Sequence, residues 1–169
     1  MFESLLSRLY DTNYFNLKEE LSKAHENLSK IFKYSASMPE IKLTNFPKIF
    51  RYIIDPLRGI VYKVVVEIGG AFDKLRNRIY LNIDKIKEKS ERIPFIYHEL
   101  THKFLERFNL PRDVEEGYAS WLTKKLTGYA KDAYGNLRER FERVYRKLGD
   151  KVFNPSYRNE IINTFYGLN

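Results

Sequence analysis

Apolar residues recur along the chain first at helical spacing, then at strand spacing, then at helical spacing again. Phe2, Leu5, Leu6, Leu9 and Tyr10 mark one amphipathic helix. After the polar break Asp11–Asn13 a second carries Leu17, Leu21, Ala24, Leu28, Ile31 and Phe32. Ser35–Pro39 closes this pair, and between Asn45 and Arg58 the prolines at 47 and 56 leave room for a short helix between turns. Val61–Ile68 is dense in β-branched residues, with Tyr62, Val64, Val66 and Ile68 on one face. Asn77–Ile83 alternates Ile79, Leu81 and Ile83 with Arg78, Tyr80 and Asn82. With Gly69-Gly70 as permissive backbone between them, these two strands are expected to form a hairpin.

From Ser90 the helical period returns. Ser90 is the expected cap, Pro94 falls in the first turn, and the helix is expected to reach about Arg107 before Asn109, Leu110 and Pro111 end it. Asp113 begins another helix that runs to about Leu126, with Gly128 at its end. Leu137–Leu148 carries one apolar stripe, Leu137, Phe141, Val144, Tyr145 and Leu148, and a terminal helix over Arg158–Phe165 follows Pro155. Helices at both ends of a small antiparallel or mixed sheet make an α+β fold. We divide it into an amino-terminal helical segment, 1–58, and a second unit, 59–169, packed as one compact whole.

Composition narrows the chemistry. The chain has 169 residues, 43% hydrophobic and 31% charged, which suits one globular domain and excludes disordered and collagen-like classes. Cysteine is absent, so disulfide scaffolds, thiolate metal sites and thiol nucleophiles are excluded, and any metal must sit on His, Asp or Glu. No run of 18 apolar residues occurs, and Glu3 and Arg8 interrupt the segment where a signal peptide needs an apolar core. A soluble, cytoplasmic protein with no membrane partner is expected. Glutamine is absent while Lys, Ile, Tyr and Glu are abundant, a bias compatible with a hyperthermophilic source.

Residues 98–102 read His-Glu-Leu-Thr-His. On a helix the two imidazoles project from one face, about 5–6 Å apart, which suits two ligands of one zinc. Glu99, beside the first, can then serve a water in the open position as general base. Chance is a poor explanation, because a chain of 169 residues with three histidines would contain such a match about 0.005 times. A third ligand is needed, and His25 lies far upstream at the border of an apolar stripe, so a carboxylate is expected. Downstream, Asp113-Val-Glu-Glu-Gly-Tyr-Ala-Ser-Trp121 offers Glu116 as the better candidate. Glu116 also fits a capping box with Asp113, and Glu115 fits a first-turn acid, so the choice between the two glutamates stays open.

His98-Glu-Leu-Thr-His102 followed by Glu116-Gly-Tyr-Ala-Ser-Trp121 resembles the gluzincin group of zinc metallopeptidases, in which H-E-x-x-H precedes a helix carrying a glutamate ligand, often as E-G-x-A. The match covers about 25 residues, and the 13 residues between His102 and Glu116 are most similar to the compact archaeal minigluzincins. The resemblance implies a zincin-like architecture and one Zn²⁺ per chain held by His98, His102 and Glu116. It makes Glu99 the general base and places Ser120 behind the ligands. It further implies that an edge strand binds the substrate backbone, and Asn77–Ile83 is the segment placed to do so. Tyr80 and Asn82 are then its contacts, although the solvent face of a hairpin explains those two equally well. No histidine follows residue 102, so a tyrosine must stabilise the oxyanion, with Tyr157 and Tyr145 as candidates. The tail Asn154–Asn169 is placed to cover the cleft as an inhibitory segment. The upstream G-x-M-E-N motif of the aminopeptidase branch is missing, since Gly69-Gly-Ala-Phe-Asp73 lacks the glutamate. That favours an endopeptidase acting on peptides or unfolded protein.

A competing reading is a nucleic-acid-binding module with a vestigial or regulatory metal site. The 30 Lys and Arg outnumber the 22 Asp and Glu, giving +8, and Trp121–Lys151 holds nine cations against four acids, with Tyr129, Tyr134, Phe141 and Tyr145 interspersed. Yet Arg138, Arg140, Arg143, Arg146 and Lys147 alternate with Glu139 and Glu142, the pattern of an ion-paired exposed helix face, and that reading is preferred.

Overall fold

The two amino-terminal helices expected from the sequence are one: α1 runs unbroken from Phe2–Phe32. Asp11–Asn13 contains neither Gly nor Pro, and polar residues cost a helix only fractions of a kcal/mol each, about 0.7 at most. Leu17, Leu21, Ala24, Leu28 and Phe32 are buried along one face. The computed structural model describes residues 2–44, 49–55, 60–66, 70–82, 89–129 and 134–167. Ile68 and Gly69 of the expected turn, Ile83 of the expected strand, Lys131 and Asp132 of the basic segment, and positions 168 and 169 of the tail lie outside the described residues. So do 45–48 and 56–58 of the stretch expected to hold a short helix.

Five strands follow α1: β1 (Glu40–Thr44), β2 (Ile49–Asp55), β3 (Ile60–Val66), β4 (Gly70–Asp73) and β5 (Arg78–Asn82). They form a three-stranded sheet in the order β1-β5-β4 and a separate pair, β2-β3. β5 is parallel to β1 and antiparallel to β4, while β2 and β3 are antiparallel. Three expectations are corrected here. The expected short helix contains β2, whose Ile49-Phe-Arg-Tyr-Ile-Ile-Asp55 run is β-prone. β3 pairs with this near neighbour and not with Asn77–Ile83. The hairpin that does form joins β4 to β5, through a turn in which Asn77 is left-handed at φ 48° and the Asp73 carboxylate accepts from Arg76 Nη1 at 2.8 Å.

The helical half comprises α2 (Lys89–Leu105), α3 (Arg112–Thr127), α4 (Gly135–Leu148) and α5 (Arg158–Tyr166), with 3-10 turns after α2 and before α5. α2 begins at Lys89, so Pro94 sits beyond the first turn and removes one helical hydrogen bond near the start. Left-handed Asn109 at φ 47° ends the turn after α2, and buried Leu110 leads through Pro111 into α3. The connection is short enough to fold α3 back along α2. Ile79 and Leu81 of β5 meet Ile96, Leu100, Phe104, Phe108, Val114 and Tyr118 in one core. Burying each large side chain contributes about 1.5–3 kcal/mol. A bidentate ion pair, Arg92 to Glu20 at 2.6 and 2.7 Å, fastens α2 to α1 with both side chains nearly buried.

The architecture is therefore α+β and mostly helical. The expected division at residue 58 falls between β2 and β3, and β1 on one side of it pairs with β5 on the other. No helix among the described residues is long and apolar enough to cross a membrane. The tail, described to residue 167, belongs to the core. Ile161 and Phe165 are buried, Arg158 Nε donates to the Asn109 carbonyl at 3.0 Å, and Tyr166 donates to Asp113 at 2.7 Å. Removing this segment would therefore strip Ile161 and Phe165 from the core.

Candidate metal centre

His98 and His102 lie one turn apart on α2, and their rings converge, Nε2 to Nε2 at 3.2 Å. α3 brings Glu116 against them. Its Oε2 lies 3.4 Å from His98 Nε2 and 3.5 Å from His102 Nε2. These three atoms form a triangle that can hold a metal ion. An ion bound tetrahedrally at about 2.0–2.1 Å would separate its ligand atoms by about 3.3 Å, and the three observed edges bracket that value. Glu116 Oε2 is also buried with no hydrogen-bond partner. A buried acceptor left unpaired is costly, and a cation at the centre of the triangle is what would satisfy it.

The glutamate ambiguity resolves in the same place. Glu115 Oε1 lies 2.8 Å from His102 Nδ1. Once zinc has displaced the second proton, an Nδ1 hydrogen donated there would leave the Nε2 lone pair facing the triangle, the tautomer a metal ligand needs. Glu116 Oε2 completes the triangle, and Glu115 contacts the far side of the His102 ring. Neither serves as a helix cap: Pro111 begins α3 without a side-chain cap, and the Asp113 carboxylate accepts from the Val114 N–H at 3.0 Å.

Glu99 is 6% exposed. Burial pushes its carboxyl above the ordinary range, against the opposing fields of His98 and His102, and the Phe72 N–H of β4 lowers it again. Gly70, also on β4, makes this approach possible: a Cβ there would lie 3.1 Å from both Glu99 Cγ and Oε1. Around the triangle the charges compensate. Burial disfavours the His102 imidazolium, but its hydrogen bond to Glu115 and the nearby carboxylates of Glu116 and Glu99 outweigh it and raise the pKa to about 10. Burial likewise opposes the Glu116 anion, yet the two imidazoles hold it well below the usual carboxylate range.

Other expected site residues fall elsewhere. Ser120 is fully buried, one turn beyond Glu116 on α3. Tyr80 and Asn82 are on β5, which is paired on both sides and is therefore not an edge. Asn82 is buried, and Arg78 Nη1 meets the Tyr80 hydroxyl at 3.5 Å. The strand beside Glu99 is β4, which pairs on one side only among the described residues. Tyr145 packs on Trp121 at 4.6 Å and Tyr157 faces the Lys151 ammonium at 5.4 Å, so the contacts of both oxyanion candidates lie away from the triangle. His25 is a core residue, its Nε2 2.8 Å from the Ala36 carbonyl and its ring against Phe104.

Sequence reasoning missed three neighbours of the site: Glu115 as the partner of His102, β4 as the strand against Glu99, and Tyr134, whose ring lies parallel to His98 at 5.9 Å between centroids. Gly69-Gly70 was the one available signal, and it reads as a turn. No protein family, no curated protein and no solved structure matches the chain.

Proposed function

We propose that the chain is a zinc-dependent endopeptidase of gluzincin type, with α2 as its active-site helix and α3 as its glutamate helix. The observation that carries this reading is the convergence of His98, His102 and Glu116 beside a buried carboxylate on the same helix, Glu99. Imidazole and carboxylate donors in this number suit Zn²⁺ with one position open. A bound zinc supplies Lewis acidity toward a water and a carbonyl. Glu99 does the proton work: its raised pKa suits a group that takes a proton from water and returns it to a leaving amine. Glu115 fixes the His102 ring, and Gly70 with the Phe72 N–H fixes the Glu99 carboxylate. An extended peptide adding to the edge of β4 that is unpaired among the described residues would run past Glu99.

The test is zinc per chain by elemental analysis, followed by digestion of a denatured protein. Near-stoichiometric zinc is expected in the wild type and in Glu99→Gln, and little in Glu116→Ala. Peptide-bond cleavage is expected from the wild type, slowed about 10²–10⁴-fold in Glu99→Gln. Full activity in Glu99→Gln would overturn the mechanism, and zinc-free wild type after reconstitution would overturn the site.

A further inference from the structure

α3 has a second charged face. At about 100° per residue, Lys125 lies about 180° around the helix from Glu116, so the two point away from each other. On that far side α3 and α4 enclose an open groove of about 630 Å³. Lys124 and Lys125 line it from α3, and Arg138, Arg143 and Arg146 line it from α4, against two acids, Glu139 and Glu142.

The sequence alone suggests that these charges neutralise one another along α4. Instead, Glu142 accepts from Trp121 Nε1 at 2.6 Å and meets Arg146 only at 3.7 Å. Asp150, just past the helix, lies 3.4 Å from the Tyr145 hydroxyl. Arg140, Arg143, Lys147 and Lys124 form no ion pair among the described residues. Lys125 is held over Tyr145 at 3.7 Å and over Trp121 at 5.0 Å, so the groove floor is an aromatic pair carrying a cation. Glu142 and Asp150 are drawn onto aromatic N–H and O–H groups, and although Arg146 keeps an ion pair with Glu142, Lys124 and Arg143 at the groove have no carboxylate partner among the described residues.

We infer that this groove binds a single-stranded nucleic acid through its phosphates. The exposed residues of α4 are Asn136, Glu139, Arg140, Arg143, Arg146 and Lys147, with no apolar side chain among them. An acidic protein partner would need exposed apolar anchors, and here the Trp121 ring is buried and the Tyr145 ring lies under Lys125. A chain with a charge on every unit needs only repeated cations, and here they recur about once per helical turn. Guanidinium forks match phosphate oxygens. A flexible strand can also enter a groove between two helices, whereas a stiff duplex would rest on its rim. Lys125 and Trp121 of the groove point away from Glu116, and groove and triangle share no residue, so this binding stands independently of the peptidase reading.

The test is fluorescence anisotropy of a labelled thirty-nucleotide oligothymidylate with the full chain. The triple variant Lys124→Ala, Arg143→Ala, Arg146→Ala removes three groove cations. Lys23→Ala, Lys30→Ala, Arg76→Ala removes three exposed cations elsewhere and keeps the same net charge change. Wild type is expected to bind at 50 mM salt and to weaken at least tenfold by 200 mM. The groove variant should lose at least tenfold in affinity, and its salt slope should fall by about 2, while the control variant stays within about twofold of wild type. Circular dichroism melts of both variants are expected to match wild type, since the substituted residues are exposed. Equal losses in the two variants, no binding by wild type at 50 mM, tighter binding of a duplex of the same length, or equal displacement by polyglutamate would each overturn the proposal.

Discussion

The two faces of α3 carry similar amounts of charge and treat it in opposite ways. On the α2 side, His98, His102, Glu99, Glu115 and Glu116 are gathered out of water, and each acts on a neighbour within the cluster. On the α4 side the cations are spread over an open groove, and several have no carboxylate near them. Buried charge is expensive unless it is compensated, so the first face is tuned by protons and by whatever cation displaces them. Exposed charge is cheap and screened, so the second face is tuned by salt. The same helix therefore carries a site governed by pH and a surface governed by ionic strength.

The largest effect should separate the faces by pH. With His102 raised to about 10, its imidazole is protonated at pH 7 in the metal-free protein, and zinc must expel that proton. Apparent zinc affinity should tighten about tenfold per pH unit between 7 and 9, with about one proton released per ion in calorimetry across buffers. The stability of the metal-free chain should move the other way. A raised folded pKa contributes stability that is complete below the ordinary 6.5 and is lost as pH rises through about 10. Glu116, held low, contributes stability that is complete above the ordinary 4.5 and is lost as pH falls below it. Melting temperature in chelator should fall from about pH 6.5 upward, and zinc should stabilise more at pH 9 than at pH 7. A zinc affinity flat in pH would show that the triangle is not proton-compensated. Groove binding should barely change over the same range.

Glu115 gives the next largest effect. Glu115→Gln can still accept from His102 Nδ1 but removes an anion, so zinc affinity should fall about 10–100-fold while Glu116→Ala loses far more. The variant should also show a shallower pH dependence, because its His102 is less strongly protonated at pH 7. A competition titration with a chromogenic chelator reads both. If Glu115→Gln lost as much zinc as Glu116→Ala, the two glutamates would not have the separate roles assigned to them.

What was legible in the sequence follows the range of the interactions. His98, Glu99 and His102 share one helix, so the helical repeat places them without any tertiary knowledge. Glu115 and Glu116 are adjacent on α3 and differ by about 100° in direction, so only the packing of α3 on α2 decides which of them reaches the ion. The helices after residue 88 lie where periodicity, Asn109 and Gly128 put them, with Gly128 left-handed at φ 76°. Strand pairing was not legible. β1 joins β5 at a sequence separation of 38 from Glu40 to Arg78, and nothing local announces such a partner. The central position of β5 removed Tyr80 and Asn82 from an edge, and β4, only Gly70–Asp73, is too short to advertise itself.

The smallest effect tests what keeps the two faces on one helix. A Cβ at Gly117 would sit 2.7 Å from the Leu137 carbonyl oxygen and 3.0 Å from a Phe165 ring carbon, so this glycine lets α4 and α5 close on α3. Ala in a helix interior is worth about 1 kcal/mol over Gly, which alone would stabilise the chain. The obstacle is backbone, which cannot rotate aside, and overpacking of that kind costs about 1–3 kcal/mol. The clash should win, by up to about 2 kcal/mol, so Gly117→Ala should melt lower, by up to about 8 °C. Zinc content should not change, because Glu116 faces α2 and the strain falls on α4. A higher melting temperature would mean that α4 yields easily, and that the close contact at Gly117 does not set the width of the groove. A lower melting temperature together with lost zinc would mean that the two faces are mechanically coupled through α3, and the contrast between them would then be one of chemistry alone.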